Sequence, residues 1–180
     1  DNEMTLAQVV KQKGYATAAV GKWHLGDHAQ FLPTRHGFDE YLGIPYSNDM
    51  WPYNDPASPA AKWKWPRLPI LRGSEVVGEI KTVEDQADIC RQLTEESVAF
   101  IRANRAKPFF LYLPHYAVHT PLMAKPEVIA KYKAKANPDS PHHNAAYAGL
   151  IESVDDSVGR IMATLDELKL SANTLLIFTS

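Results

Sequence analysis

Thr5-Leu6-Ala7-Gln8 places a Gln three residues after a Thr, the pattern of a capping box. It predicts a short helix that stops at Gly14, a favourable residue just past a helix end. Tyr15–Val20 is a run of aromatic, small and β-branched residues and predicts a strand. Gly21 to Gly26, GKWHLG, follows as a loop. Residues 27–82 are proline-rich and weakly periodic, and predict long loops with a small hairpin near Glu75–Lys81. So long an irregular stretch in a domain is usually functional or an insertion. Thr82 predicts the cap of a second helix, whose apolar stripe is Ile89, Cys90, Leu93, Ser97, Phe100 and Ile101 at spacings of three and four. After Pro108, the continuous apolar run Phe109–Leu113 predicts a strand covered on both faces. Pro114 to Pro121 is the loop that leaves it.

A short helix is expected around Pro126–Ala134, and the clearest helix from about Asn144 to Lys169. Tyr147, Leu150, Ile151, Val154, Val158, Ile161, Met162, Leu165 and Leu168 mark one face of it. Thr174–Ser180, TLLIFTS, predicts a third buried strand. Helices alternating with strands imply an α/β fold, a mostly parallel sheet with helices on its faces.

Composition narrows the function classes. The chain has 180 residues, 45% of them hydrophobic, enough for a sizeable core. Lys plus Arg number 19 and Asp plus Glu 21, a net charge of −2 that offers no basic field for nucleic acid. A single cysteine excludes an internal disulfide framework and a four-cysteine zinc site. No apolar run approaches the roughly 20 residues that span a bilayer. The chain opens at Asp1 and closes on a strand, and reads as an internal piece of a longer domain.

The loops that leave strands carry the candidate chemistry, where α/β sheets place their ligands. Lys22 and His24 lie two apart between glycines. Two cationic donors this close suit an oxyanion such as phosphate, sulfate or carboxylate. Spacing alone fits equally a surface lysine beside a loop histidine. His119 also leaves a buried strand, which favours the oxyanion reading.

The segment TLAQVVKQKGYATAAVGKWHLG resembles the second signature of the sulfatase family. FFLYLPHYAVHTP resembles the strand and loop that carry the family's substrate-contacting histidine, and residues 147–180 resemble the helix and strand that lead into its Asp-Asn-Gly metal motif. Gly37-Phe38-Asp39 and Gly43-Ile44-Pro45-Tyr46-Ser47-Asn48-Asp49 resemble the arylsulfatase A branch. The resemblance covers essentially the whole chain, most loosely at residues 50–80 and 122–142. It implies an alkaline-phosphatase-like α/β/α sandwich, here partial, and hydrolysis of a sulfuric ester. It also implies a formylglycine nucleophile, made from a Cys or Ser in a C/S-x-P/A-x-R sequence, and a calcium ion.

By this resemblance Lys22 matches the lysine at the sulfate and the nucleophile. His24 matches the histidine beside the nucleophile, Ser47 a serine at the sulfate, and His119 the histidine near the leaving oxygen. An imidazole near neutral pH and fixed cations fit such roles. Residues 1–180 are expected to be the central part of one catalytic domain, with the nucleophile, the calcium ligands and the C-terminal part outside this chain. Cys90 lacks the surrounding modification sequence and sits on an apolar stripe, so it reads as a core thiol. The fragment alone is expected to lack turnover.

Other candidates read as structural. His115 and His119 are four apart but lie in a loop. His142-His143, Asp155-Asp156 and the Lys131, Lys133, Lys135 cluster read as solvated. Trp51, Trp63 and Trp65 read as packing of an insertion ahead of a platform for a sugar or aryl group. The expected partner is a small-molecule or glycan sulfate ester, and the family's usual location is secreted, periplasmic or lysosomal. Two rival readings are a phosphoryl-transfer member of the alkaline phosphatase superfamily and a non-catalytic binder of sulfated glycans.

Overall fold

A computed structural model describes residues 3–51, 65–135, 137, 139 and 141–180. The first helix, α1 (Leu6–Lys11), starts at a complete capping box: Gln8 N–H donates to Thr5 Oγ1 at 3.1 Å, and Thr5 N–H to Gln8 Oε1 at 2.8 Å. Gly14 follows with φ +81°, a conformation that costs glycine little. The chain then enters β1 (Ala16–Lys22), so Gly21 and Lys22 belong to the strand rather than to the loop.

β1 lies between β2 and β5 in a five-stranded sheet of order β4-β3-β2-β1-β5. Both its neighbours, β2 (Glu40–Ile44) and β5 (Phe109–Tyr112), run parallel to it. The hairpin of β3 (Leu68–Arg72) and β4 (Glu75–Ile80) adds antiparallel strands beyond β2. The expected hairpin near Glu75 is thus present, but β2 lies inside the segment read as loops. Its five residues contain Glu40 and Gly43, which hide the alternation that marks a strand.

Two glycines explain how tightly β1 is gripped. Gly21 pairs with Gly43 across the parallel ladder. A Cβ on Gly43 would lie 1.8 Å from Gly21 O, and one on Gly21 2.1 Å from Pro114 O.

Helices cover both faces. Ala18 and Val20 pack with Ile89, Cys90 and Leu93 of α2 (Val83–Ala103), while Ala19 packs with Ala7 of α1, Phe38 and Tyr41. Successive strand residues point to opposite faces, so one strand serves both cores. α2 begins at the predicted Thr82 cap, with Asp85 completing a second capping box. The segment Gly37-Phe38-Asp39 also has a structural task. Asp39 Oδ2 accepts from Thr17 N–H and Oγ1, both at 3.0 Å, locking the starts of β1 and β2 together.

α3 (Pro126–Lys135) packs on α4 (Ala145–Glu167), which Asn144 caps by accepting from Tyr147 N–H at 3.0 Å. α4 meets α2 through a buried hydrogen bond from Thr94 Oγ1 to Ser157 Oγ, 2.7 Å long. Leu150, Ile161 and Leu165 are buried as expected, whereas Tyr147, Ile151 and Met162 on the same predicted face are exposed.

Two expected strands need correction. β5 is the outer strand of the described sheet, and although side chains pack on both its faces its residues are only half-buried or exposed. Phe109 and Leu111 pack toward Ile101, Ile161 and Leu165, while Phe110 stacks on Phe38. Thr174–Ser180 forms no strand, and Leu175 and Ile177 are 85% and 76% exposed. An apolar run becomes a strand only where a neighbour takes its backbone groups, and among the described residues none pairs with this one.

Candidate functional site

The loops that follow β1, β2 and β5 leave the sheet at one edge, because the three strands are parallel and adjacent. Backbone bonds sew them together. Lys22 N–H donates to Pro114 O at 2.9 Å, Trp23 N–H to Ile44 O at 3.0 Å, and His24 N–H to Pro45 O at 3.0 Å. The β1 exit is therefore held on one side by the β5 loop and on the other by the β2 loop.

Trp23 fixes the run that carries Lys22 and His24. Its ring stacks on His36 at 6.0 Å and meets Phe38 edge-on at 6.1 Å, and its Nε1–H donates to Phe31 O at 2.7 Å. His24 follows at φ +55°, a left-handed conformation uncommon outside glycine. Such backbone persists only where its surroundings over-determine it, and here the bond to Pro45 O contributes. His24 is exposed. Lys22 is half-buried, and burial pulls its ammonium below the ordinary lysine range while the Asp49 carboxylate opposes that pull.

Ser47, Asn48 and Asp49 make the turn after β2, closed by Met50 N–H donating to Ser47 O at 3.0 Å. Ser47 is 4% exposed and its Oγ has no hydrogen-bond partner among the described residues. It lies under the site's surface rather than on it. Asn48 is fully buried, and its Nδ2 donates to Thr120 O at 3.0 Å. That bond joins the β2 loop to the β5 loop.

His119 is exposed on the β5 loop, its N–H donating to Tyr116 O at 3.0 Å. Its Nδ1 lies 2.6 Å from Thr120 O. A carbonyl can only accept, so Nδ1 carries the proton and Nε2 is left to exchange one with a ligand. Lys22 at the end of β1, and His24, Ser47 and His119 on the loops that follow β1, β2 and β5, thus lie at one edge of the sheet.

The residues read as structural fall elsewhere or inward. His115 is largely buried, both ring nitrogens lack partners among the described residues, and burial pulls its pKa down to about 4. Cys90 is 3% exposed in the core, and burial pushes its thiol up to about 12. Trp51 is also a core residue, its Nε1–H donating to Gln86 Oε1 at 2.6 Å. Trp63 lies outside the described residues, and Trp65 is half-buried. His142, His143, Asp155, Asp156, Lys131, Lys133 and Lys135 are exposed, and Lys131 pairs with Glu152 at 2.5 Å.

The calcium ion and the formylglycine implied by the resemblance do not fit the residues present. Among the described residues no group of three or more His, Cys, Asp or Glu could hold a metal ion. Cys90 is enclosed by apolar side chains. A cavity of about 500 Å³ between the β3–β4 hairpin and α2, lined by Ile70, Arg72, Gln92 and Glu96, contains none of the candidate residues. A smaller one, about 310 Å³, borders the site through Asp27, Pro45 and Tyr46.

The sequence reading missed Asn48 and Asp49 as individual residues. Both stand inside a segment singled out for its resemblance, but nothing in local spacing shows that Asn48 reaches a carbonyl 72 residues away.

Comparison with known proteins agrees with this architecture. The chain is 34% identical to N-acetylgalactosamine-6-sulfatase of Homo sapiens over 188 residues, covering all of this chain and 32% of that protein. It is 34% identical to Arylsulfatase G of Rattus norvegicus, covering 98% of this chain and 35% of that one. The chain thus spans about a third of the length of these relatives. Two solved structures superpose on 93% of it. Ps i-CgsB in complex with k-i-k-neocarrahexaose does so at TM-score 0.71 and 32% identity, over 37% of that chain. The PsFucS1 sulfatase from Pseudoalteromonas sp. does so at 0.72 and 27%, over 35% of that chain. These matches identify the sheet and its covering helices as part of an alkaline-phosphatase-like sandwich. With the Sulfatase family model matching residues 1–180, the chain belongs to the Sulfatase family.

Proposed function

We propose that residues 1–180 are the central part of a single catalytic domain whose full-length chain hydrolyses sulfate esters. The observation that carries this reading is the convergence of the β1, β2 and β5 loops, which brings Lys22, His24, Ser47 and His119 to one sheet edge. Sulfated glycans are the favoured substrate class. Support comes from the N-acetylgalactosamine-6-sulfatase relatives and from the neocarrahexaose bound by a structural relative.

Each residue has a task that its chemistry suits. The Lys22 ammonium offsets negative charge on the sulfate oxygens, and its partial burial strengthens that attraction. His119, with Nδ1 committed to Thr120 O, presents Nε2 to the leaving alcohol oxygen and supplies its proton. His24 accepts a proton beside the nucleophile. The Ser47 hydroxyl, without a hydrogen-bond partner among the described residues, donates toward the sulfate when the site is filled. In the complete domain the family's formylglycine and calcium would supply the nucleophile and a further positive charge, and no described residue stands in for them.

The test is an assay of the full-length protein with an aryl sulfate, sulfated oligosaccharides and the matching phosphate monoesters. Sulfate release that falls sharply in Lys22→Ala supports the proposal. Faster cleavage of the phosphates would favour the phosphoryl-transfer reading, and binding without turnover the non-catalytic one.

A further inference from the structure

The smaller cavity, about 310 Å³, lies beside the candidate site and has the volume of a small ligand pocket. Three segments wall it. The β1 loop gives Asp27 and Leu32, the β2 loop Pro45 and Tyr46, and the β3–β4 hairpin Leu71 and Ser74. The first two segments also carry site residues. Asp27 stands three residues after His24, whose N–H donates to Pro45 O at 3.0 Å, and Tyr46 immediately precedes Ser47. A molecule whose sulfate lies between these loops has the cleft as its neighbour.

The walls are built in advance. Gly26 has φ +119°, and a Cβ there would lie 2.6 Å from Phe31 Cβ, so the β1 loop folds tightly back on itself. Trp23 Nε1–H closes the same loop by donating to Phe31 O at 2.7 Å. On the β2 wall the Tyr46 hydroxyl donates to Arg67 O at 3.1 Å, which commits its proton and fixes its ring.

The lining is mixed in the way a sugar ring is. Leu32, Pro45 and Leu71 are buried and Tyr46 is half-buried, which gives apolar surface for the C–H faces of a pyranose. Asp27 and Ser74 are exposed and bring oxygen atoms to its hydroxyls. Asp27 is the only charged side chain among the described residues that line the cleft. A carboxylate accepts hydrogen bonds and donates none, so it welcomes hydroxyl groups and repels a sulfate or carboxylate group.

We propose that this cleft is a subsite for an uncharged pyranose ring linked to the sulfated sugar, and that Asp27 selects against a second anionic group on that ring. The inference rests on the reading of the neighbouring loops as a site for sulfated glycans and extends it to the ring beyond the sulfate.

The experiment measures kcat/KM of the full-length enzyme, unmodified and as Ser74→Trp and Asp27→Asn. The substrates are an aryl sulfate, a sulfated monosaccharide, monosulfated disaccharides with the neutral ring on either side, and their disulfated counterparts. The unmodified enzyme should prefer one of the monosulfated disaccharides to the monosaccharide by about tenfold, the worth of a well-made hydrogen bond with its packing. Ser74→Trp should fill the cleft and abolish that preference while leaving the aryl sulfate within about twofold, which also shows that the variant is folded. Asp27→Asn should shrink the discrimination against the disulfated form by about tenfold, because the repulsion is gone. A second ring that brings no advantage, a Ser74→Trp loss equal on the aryl sulfate and the disaccharide, or an unchanged discrimination in Asp27→Asn would each overturn the subsite. Failure to release sulfate from any of these substrates would instead sink the sulfate-ester reading, and the subsite with it.

Discussion

Asn48 and Thr120 are joined across 72 residues by a hydrogen bond from Asn48 Nδ2 to the Thr120 carbonyl, which also takes the Nδ1 proton of His119. One backbone oxygen thus fixes both the separation of two loops and the tautomer of a histidine. Asn48 is fully buried, so its amide cannot exchange this partner for water.

Asn48→Ala should therefore destabilise the protein by about 1–3 kcal/mol, the usual effect of breaking a buried hydrogen bond. It should also loosen His119, which keeps its own bond to Thr120 O but loses the rigidity of that carbonyl. Urea denaturation of the full-length protein reads the first effect. A rise in KM for sulfate esters at constant protein concentration reads the second. Unchanged stability would show that the bond is dispensable.

Lys22→Ala and His119→Ala should differ in kind. Loss of an oxyanion-stabilising cation typically lowers kcat about 10²–10³-fold, and Lys22→Ala should do so for every sulfate ester. His119→Ala should depend on the leaving group, because an activated aryl oxide needs little protonation while a sugar alkoxide needs much. A leaving-group series assayed in both variants checks this. Parallel losses across the series in His119→Ala would remove its role as a proton donor.

His115 should make the fold sensitive to acid. Burial holds its pKa at about 4 in the folded protein against an ordinary 6.5, so the neutral ring is the folded form. As pH falls below about 6.5 the unfolded chain binds a proton that the folded one refuses, and stability drops until the pH reaches about 4. The full difference corresponds to about 3 kcal/mol. Denaturation curves taken across this window should show a shallower fall in His115→Phe, which keeps a ring and cannot ionise. An identical slope in that variant would assign the acid sensitivity to other groups.

Cys90 should resist thiol reagents in the folded full-length protein. It is 3% exposed, and burial pushes its thiol up to about 12, so both access and thiolate are lacking. Labelling should appear only with unfolding, and rapid modification of the native protein would contradict its placement in the core.

Several elements were legible because their signals are local. The capping box at Thr5, the cap at Thr82, the apolar stripe of α2 and the Asn144 start of α4 each depend on residues within a turn or two, and all are found in the structure. GKWHLG pointed to Lys22 and His24 for a similar reason: the residues that carry the chemistry are neighbours in the chain. The family resemblance extended this to Ser47 and His119, whose relation no spacing within the sequence reveals.

Tertiary structure decided the rest, because strands and sites depend on partners far along the chain. β2 is a strand although Gly43 and Glu40 blur its pattern, since β1 and β3 take its backbone groups on either side. Thr174–Ser180 has the composition of a strand and forms none, because no described strand lies beside it. Tyr147, Ile151 and Met162 share the periodicity of the buried residues of α4 and remain exposed, because the sheet and α2 cover only part of that face. The bond from Asn48 to Thr120 arises only when parallel strands deliver their loops to one edge. Local propensity selected the residues that could act there, and the packing of β1 between β2 and β5 brought them together.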